Sequence, residues 1–179
     1  SLEKERAAQL MNEMTPGQAA DILSVLPWEK VEALIKLLDR ENAEKIRSIL
    51  EQQEEKILNF GTTDYVKFTP EMTVLDARRA YQWEARGKDV IMYLYILDDA
   101  GKLVGVLHLK ELLREQDGAL LKDVMNPKVI GLKPDSTLKE ASVMFSRYGF
   151  RAFPITDENE KMLGVIPYRD VMNLKHLFL

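Results

Sequence analysis

The second half of this chain repeats part of the first. Phe68-Thr69-Pro70-Glu71-Met72-Thr73-Val74-Leu75-Asp76-Ala77 lines up with Leu132-Lys133-Pro134-Asp135-Ser136-Thr137-Leu138-Lys139-Glu140-Ala141 at an offset of 64. Further on, Leu94–Gly105 lines up with Phe153–Gly164 at an offset of 59, so the first copy holds five extra residues, around Trp83–Lys88. An internal repeat limits the fold more than composition does, because each copy must be one supersecondary unit that buries its apolar face against its neighbour.

Each copy reads as strand, proline-containing turn, helix, hairpin, helix. Pro70 and Pro134 stop a strand, and Thr73 and Thr137 stand at helix N-cap positions with Asp76 and Glu140 three residues on, an acidic form of the capping box. Val74, Ala77, Ala80 and Tyr81 share one helical face, as do Leu138, Ala141, Phe145 and Tyr148. Met92–Leu97, the turn Asp98-Asp99-Ala100-Gly101 and Leu103–Leu107 spell a β-hairpin, and Ala152–Thr156, Asp157–Glu160 and Met162–Ile166 spell it again.

Residues 3–58 instead carry apolar residues at helical spacing. Leu10, Met11 and Met14 share a face. A turn is expected at Thr15-Pro16-Gly17, then a stripe of Ala19, Ile22, Leu23 and Leu26. Pro27 suits the first position of a third helix, bearing Val31, Leu34, Ile35 and Leu38. Asp39 or Asn42 is placed to cap a last helix running through Ile46, Ile49 and Leu50 to Ile57 and Leu58. Such short helices must pack on one another, since isolated ones are marginal in water.

Composition closes off several chemistries. There are no cysteines, which excludes disulfides, zinc–thiolate sites and thiol nucleophiles. His108 and His176 have no metal-ligand spacing, and no nucleophile elbow, zinc-protease helix, phosphate-binding loop or dinucleotide fingerprint is present, so no catalytic residues are expected. A net charge of −4 gives no reason to expect a nucleic acid partner. No stretch approaches the roughly 20 apolar residues of a membrane span.

Taken together, YLYILDDAGKLVGVLHLKELL, FPITDENEKMLGVIPYRDVM and the link Asp123-Val124-Met125-Asn126-Pro127 resemble the CBS (cystathionine β-synthase-type) domain family, over about residues 60–175. A narrower resemblance is to the cytosolic region of MgtE-type magnesium transporters. It rests on Pro16-Gly17-Gln18-Ala19-Ala20-Asp21-Ile22-Leu23 through Leu26-Pro27-Trp28-Glu29, on Thr62-Thr63-Asp64-Tyr65-Val66, and on the order of helical domain before CBS pair. The expected fold is α+β: a helical domain over 1–59, a first CBS repeat over 60–122, and a second over 123–179 that includes the start of a C-terminal connecting helix at Lys175–Leu179. Each repeat is expected as β-α-β-β-α. The resemblance further implies a cytoplasmic regulatory module, the cytosolic part of an inner-membrane protein, with a transporter domain following Leu179 and a homodimer formed through the CBS repeats. A soluble CBS protein that binds adenine nucleotide and regulates a partner is the alternative.

Two ligands follow from the resemblance. In MgtE-type proteins, Mg2+ binds among carboxylates at the interfaces of the helical and CBS domains. The matching acids are Asp39, Glu41, Glu44, Glu51, Glu54 and Glu55 on the helical side, and Asp157, Glu158, Glu160 and Asp170 on the CBS side. Magnesium takes oxygen ligands and keeps much of its water, so clustered acids are the chemistry it needs. CBS pairs also bind AMP or ATP in a cleft between repeats, with a Thr-x-x-Asp whose Asp accepts from ribose hydroxyls. The second copy offers Pro167-Tyr168-Arg169-Asp170 and the first His108-Leu109-Lys110-Glu111, so both depart from the pattern. Tyr65, with Val66 beside it, is placed to stack on the base, Phe153 and Pro154 to line the pocket, and Arg151 to meet phosphate.

Overall fold

The computed structural model describes the backbone of residues 2–176 and the side chains of residues 2–173. The chain forms two compact units, one built on the residues up to Glu55 and the other on Lys56–Ser136 and Glu140–Val171.

The first unit contains α1 (Leu2–Glu13), α2 (Pro16–Leu23), α3 (Trp28–Ile35) and α4 (Arg40–Gln53). Its core gathers Met11, Leu23, Ile35, Ile46 and Leu50 with small residues such as Ala8, Ala19 and Ala20 between them. The turn expected at Thr15-Pro16-Gly17 is instead a helix start. Thr15 is the N-cap, Gln18 N donates to Thr15 Oγ1 at 3.4 Å, and Thr15 N donates back to Gln18 Oε1 at 3.2 Å. Pro16 fills the first helical position, where a missing N–H costs nothing. Pro27 is the residue before α3 rather than its first. Asp39 stands at the N-cap of α4, but its side chain makes no capping bond; Asn12 Oδ1 on α1 accepts from Asp39 N (3.2 Å) and Asn42 Nδ2 (3.3 Å). Leu10 and Ile22, read as core, are exposed, and α4 ends before Ile57 and Leu58.

Gly17 lies in the first turn of α2, and a Cβ built there meets nothing within 4 Å. Glycine in a helix carries an entropic penalty that alanine lacks. Gly17→Ala is therefore expected to stabilise the helical unit by about 0.5 kcal/mol, read as a higher urea midpoint at unchanged m-value.

From Lys56 onward the chain forms β1 (Tyr65–Phe68), α5 (Val74–Glu84), β2 (Val90–Leu97), β3 (Leu103–His108), α6 (Leu109–Leu112), α7 (Leu121–Val124), α8 (Leu138–Tyr148), β4 (Ala152–Thr156), β5 (Met162–Pro167) and α9 (Tyr168–His176). Lys175 and His176 continue α9, while Leu177–Leu179, where the connecting helix was expected to run on, lie outside the described residues. One sheet runs β1-β2-β3, with β1 parallel and β3 antiparallel to β2; the other is the β4-β5 hairpin.

The first strand expected in the second copy is a single bridge, Leu132↔Ile155, the counterpart of the Phe68↔Ile96 pair in β1–β2. Pro127 and Pro134 bracket this segment and cannot donate to a ladder. Gly131 runs so close to β4 that a Cβ there would lie 2.9 Å from the Pro154 carbonyl oxygen.

The two sequence offsets reappear in space. Thr62 N donates to Val165 O (2.8 Å) and Val165 N to Thr62 O (2.9 Å); one repeat away, Val106 N donates to Asn126 O (3.0 Å) and Asn126 N to Val106 O (2.9 Å). Each copy's lead-in segment thus pairs with the other copy's last strand. The hairpin tips also exchange bonds, Leu103 N to Glu160 O at 3.0 Å and Met162 N to Gly101 O at 3.1 Å. The tips share one construction: Asp98 Oδ1 accepts from Ala100 N and Lys102 N, and Asp157 Oδ1 from Asn159 N and Lys161 N. Gly101 has φ 79°, and Glu160 takes the matching left-handed conformation at φ 63°. Equivalence extends upstream of the recognised repeat, for Leu121 N donates to Met72 O and Ile57 N to Ser136 O, both at 2.9 Å.

Strand β2 sorts its side chains by alternation. Leu94 and Ile96 enter a core with Val66, Phe68, Val74 and Leu107; Tyr95 enters the other, with Tyr65, Leu103, Ala152, Met162 and Val165, where Tyr93 and Leu97 also pack. That second core joins the two copies.

Candidate ligand site

The acids proposed for magnesium do not come together in a group. Among the described residues no three of His, Asp and Glu are placed to hold one ion. Glu41 pairs with Lys45 at 2.7 Å and Glu44 with Arg40 at 3.0 Å, both at helical i, i+4 spacing. The Lys45 ammonium, by hydrogen bond and charge, holds the Glu41 carboxyl below the usual carboxylate range. Asp39 only begins α4. Asp157 is engaged in its turn through Oδ1, and Glu160 pairs with Lys102 at 2.5 Å, which holds its carboxyl low and raises the lysine. Glu158 is exposed in the same turn. Glu51, Glu54 and Glu55 are exposed at the end of α4 and form no ion pair with described residues.

The nucleotide candidates divide by burial. Val66 and Phe153 are sealed in the protein. Phe153 lies among the rings of Phe145 (4.8 Å between centroids), Phe150 (5.4 Å) and Tyr148 (6.2 Å). Pro154 is buried, and Tyr65 meets Tyr95 edge-on at 5.6 Å, with burial pushing its phenol above the ordinary range. The Tyr65 ring, the Val66 branch and the Phe153 ring all pack in the core. Arg151 and Asp170 do reach the surface. The Arg151 guanidinium lies 5.8 Å from the Tyr168 ring centroid, its carbonyl accepts from Tyr168 N at 2.8 Å, and Asp170 contacts Arg169 Nε at 3.2 Å.

A different group of rings is open to a base. Tyr93 meets His108 edge-on at 5.4 Å and lies 6.4 Å from Phe150, which is stacked on Tyr148 at 5.7 Å with 28° between the planes. Tyr93, His108 and Phe150 are half-buried and Tyr148 is exposed, so one ledge forms from residues of both copies. Arg151 N donates to the Tyr93 hydroxyl at 3.3 Å, tying the copies together there. His108 caps α6: its Nδ1 accepts from Lys110 N at 3.0 Å, and Glu111 Oε2 accepts from His108 N at 2.9 Å. Capping occupies Glu111, and Lys110 beside it in the chain is exposed. Arg151 supplies a second cation. Sequence reasoning missed Tyr93, Tyr148 and Phe150; the available signal was the aromatic pair Tyr148-Gly149-Phe150 directly before a strand.

Comparison with known proteins places this geometry. The CBS domain profile matches residues 57–118 and 121–176, and the MgtE intracellular N domain profile matches residues 1–55. The magnesium transporter MgtE of Thermus thermophilus is 28% identical over 138 residues, 77% of this chain and 31% of that protein. MgtE of Bacillus subtilis is 25% identical over 171 residues, 96% of this chain and 38% of that protein. The chain thus spans about a third of the length of these relatives. The crystal structure of the soluble part of a magnesium transporter shares 27% identity with a TM-score of 0.65, covering 96% of this chain and 67% of that one. The cytosolic domain of the Mg2+ channel MgtE in complex with ATP, at 24% identity and a TM-score of 0.65, has the same fold over 96% of this chain and 80% of that one. Among the described residues no helix is long and apolar enough to cross a membrane. The chain belongs to the CBS-domain family and carries its CBS pair behind an MgtE-type intracellular N domain.

Proposed function

We propose that this chain is the cytosolic regulatory part of a magnesium transporter and that it responds to an adenine nucleotide seated on the ledge of Tyr93, His108, Tyr148 and Phe150. The observation that carries the reading is the ledge itself: half-open rings contributed by both copies, with exposed Lys110 and Arg151 close in the chain to His108 and Phe150. Aromatic faces stack on a base whatever its hydrogen-bonding edge, and a guanidinium suits phosphate. A nucleotide held there touches both copies and favours whichever arrangement of the pair it binds better. A solved MgtE cytosolic domain holds ATP, which fits the same chemistry.

Magnesium sensing is the second reading. The acids at the end of α4 support it: Glu51, Glu54 and Glu55 stand exposed and unpaired among described residues, unlike Glu41, Glu44 and Glu160. Like charges brought near another acidic surface repel, and a divalent ion relieves that cost. A homodimer through the CBS pair, and a membrane domain in the whole protein, belong to the same reading.

Thermal unfolding tests both. AMP and ATP are each added alone, and MgCl2 is compared with KCl at matched ionic strength. A ligand present at a hundred times its Kd stabilises the folded state by about 2.7 kcal/mol, which moves the midpoint by several degrees. A rise with AMP alone supports the ledge. A magnesium-specific rise that disappears when Glu51, Glu54 and Glu55 are all changed to glutamine supports ion sensing. If neither ligand shifts the midpoint, both readings fail.

A further inference from the structure

Two tyrosines on β2 point to the same side, because side chains two apart share a face of a strand. Tyr93 stands half-buried at the ledge; Tyr95 lies one step further in and is 1% exposed. The Tyr95 ring is well packed, edge-on to Tyr65 in the core that joins the copies. Its hydroxyl, however, has no hydrogen-bond partner among the described residues, whereas Tyr93 accepts from Arg151 N and Tyr81 donates to the Ile91 carbonyl. Buried polar groups are normally paired, and one left unpaired costs about as much as a lost hydrogen bond. Phenylalanine would fill the same space without that cost.

Two further features show what the hydroxyl serves. Among the described residues, the fully sealed side-chain polar atoms without a partner are Gln53 Oε1 and Ser142 Oγ. The Tyr95 oxygen is not among them, so the sliver of surface Tyr95 keeps reaches its hydroxyl. In the second copy the equivalent position holds Pro154, which offers no side-chain donor, so the feature is confined to one side of the pseudo-twofold. Burial, and the nearby Tyr93 and Tyr65 phenols, keep Tyr95 protonated at any physiological pH, so it is always able to donate.

We propose that Tyr95 is a specificity-determining residue of the ledge: its hydroxyl, at the floor beneath Tyr93, donates a hydrogen bond to the inner edge of the bound nucleoside, a ring nitrogen of the base or a ribose oxygen. The assignment rests on the nucleotide reading above. Stacking supplies sequence-tolerant attraction; the Tyr95 hydroxyl supplies a polar contact that a flat apolar ring cannot make.

Tyr95→Phe removes one oxygen and little else. Its unliganded thermal midpoint and its AMP and ATP affinities by titration calorimetry are compared with those of the unaltered chain. The expected result is a midpoint raised by about 1–3 °C together with nucleotide affinity weakened about fivefold to tenfold. If the unaltered chain binds AMP and the variant binds it equally well, the role of Tyr95 falls and the ledge stands. A lowered midpoint, whatever the affinity, makes the hydroxyl a structural group and overturns the assignment. If the unaltered chain binds neither nucleotide at millimolar concentration, the nucleotide reading and this assignment fall together.

Discussion

Replacing Phe153 by alanine is expected to lower the unfolding free energy of the CBS pair by about 3–5 kcal/mol. The side chain is fully buried, and its neighbours are other rings: Phe145, Phe150 and Tyr148. Rigid rings do not collapse into a gap as a methionine might, so removal of the phenyl loses its transfer free energy and leaves a cavity as well. Urea unfolding followed by circular dichroism should show a lower midpoint with the m-value unchanged. Phe153→Leu retains most of the volume and should cost under about 1.5 kcal/mol. A cost for the alanine variant below about 1 kcal/mol would mean that the aromatic cluster is not the packed core described here. Because Phe150 rests on Phe153, the alanine variant should also weaken any nucleotide bound at the ledge, which a change in a remote core position would not do.

Much of the fold was legible because it depends on short-range chemistry. The hairpins were announced by β-rich runs around Asp98–Gly101 and Asp157–Glu160, and the first-copy helix by Thr73, whose hydroxyl accepts from Asp76 N at 3.1 Å. The repeat offsets predicted equivalent residues from Phe68 and Leu132 onward, and the structure carries the same offset upstream to the paired lead-in segments at Thr62 and Asn126. Errors arose where a pattern has two physical readings. Pro-Gly signals a turn in most contexts, but behind a Thr N-cap and ahead of Gln18 it starts a helix. Leu10 and Ile22 keep the helical period but fall at the edge of the apolar stripe, where burial depends on what lies opposite. The second copy's first strand failed because two prolines and a closely packed glycine leave room for one bridge.

The site was harder to read for a related reason. Both faces of β2 are buried, one against helices and the other against the second copy, so alternation says which residues are partners and not which face opens to a ligand. Val66 faces the helix-side core and Tyr65 the core that joins the copies, so neighbours in sequence part company in space. The ledge joins residues 93 and 108 to residues 148 and 150, and that proximity exists only after the copies have packed.

Tyr93→Ala and Phe150→Ala are each expected to weaken AMP binding tenfold or more, on the order of 1–3 kcal/mol per stacked base, and Tyr93→Phe should bind nearly as well as the unaltered chain. Both rings are half-buried rather than sealed, so their loss should cost less stability than the Phe153 change. Calorimetric titration of AMP at fixed salt is the measurement. Asp170→Ala supplies the contrast. Asp170 stands in the first turn of α9, pairs with Arg169, and shares no hydrogen bond with Tyr93 or His108 among the described residues. If the base lies on the ledge, the Asp170 variant keeps its affinity while the ring variants lose theirs. The reverse pattern would place the nucleotide in the pseudo-symmetric cleft and return the binding role to the second copy's Pro167–Asp170 stretch. Arg151→Ala separates phosphate from base: with the base on the ledge it should weaken ATP more than AMP, and the difference should shrink as salt is raised, since an exposed cation acts on phosphate through a screened field.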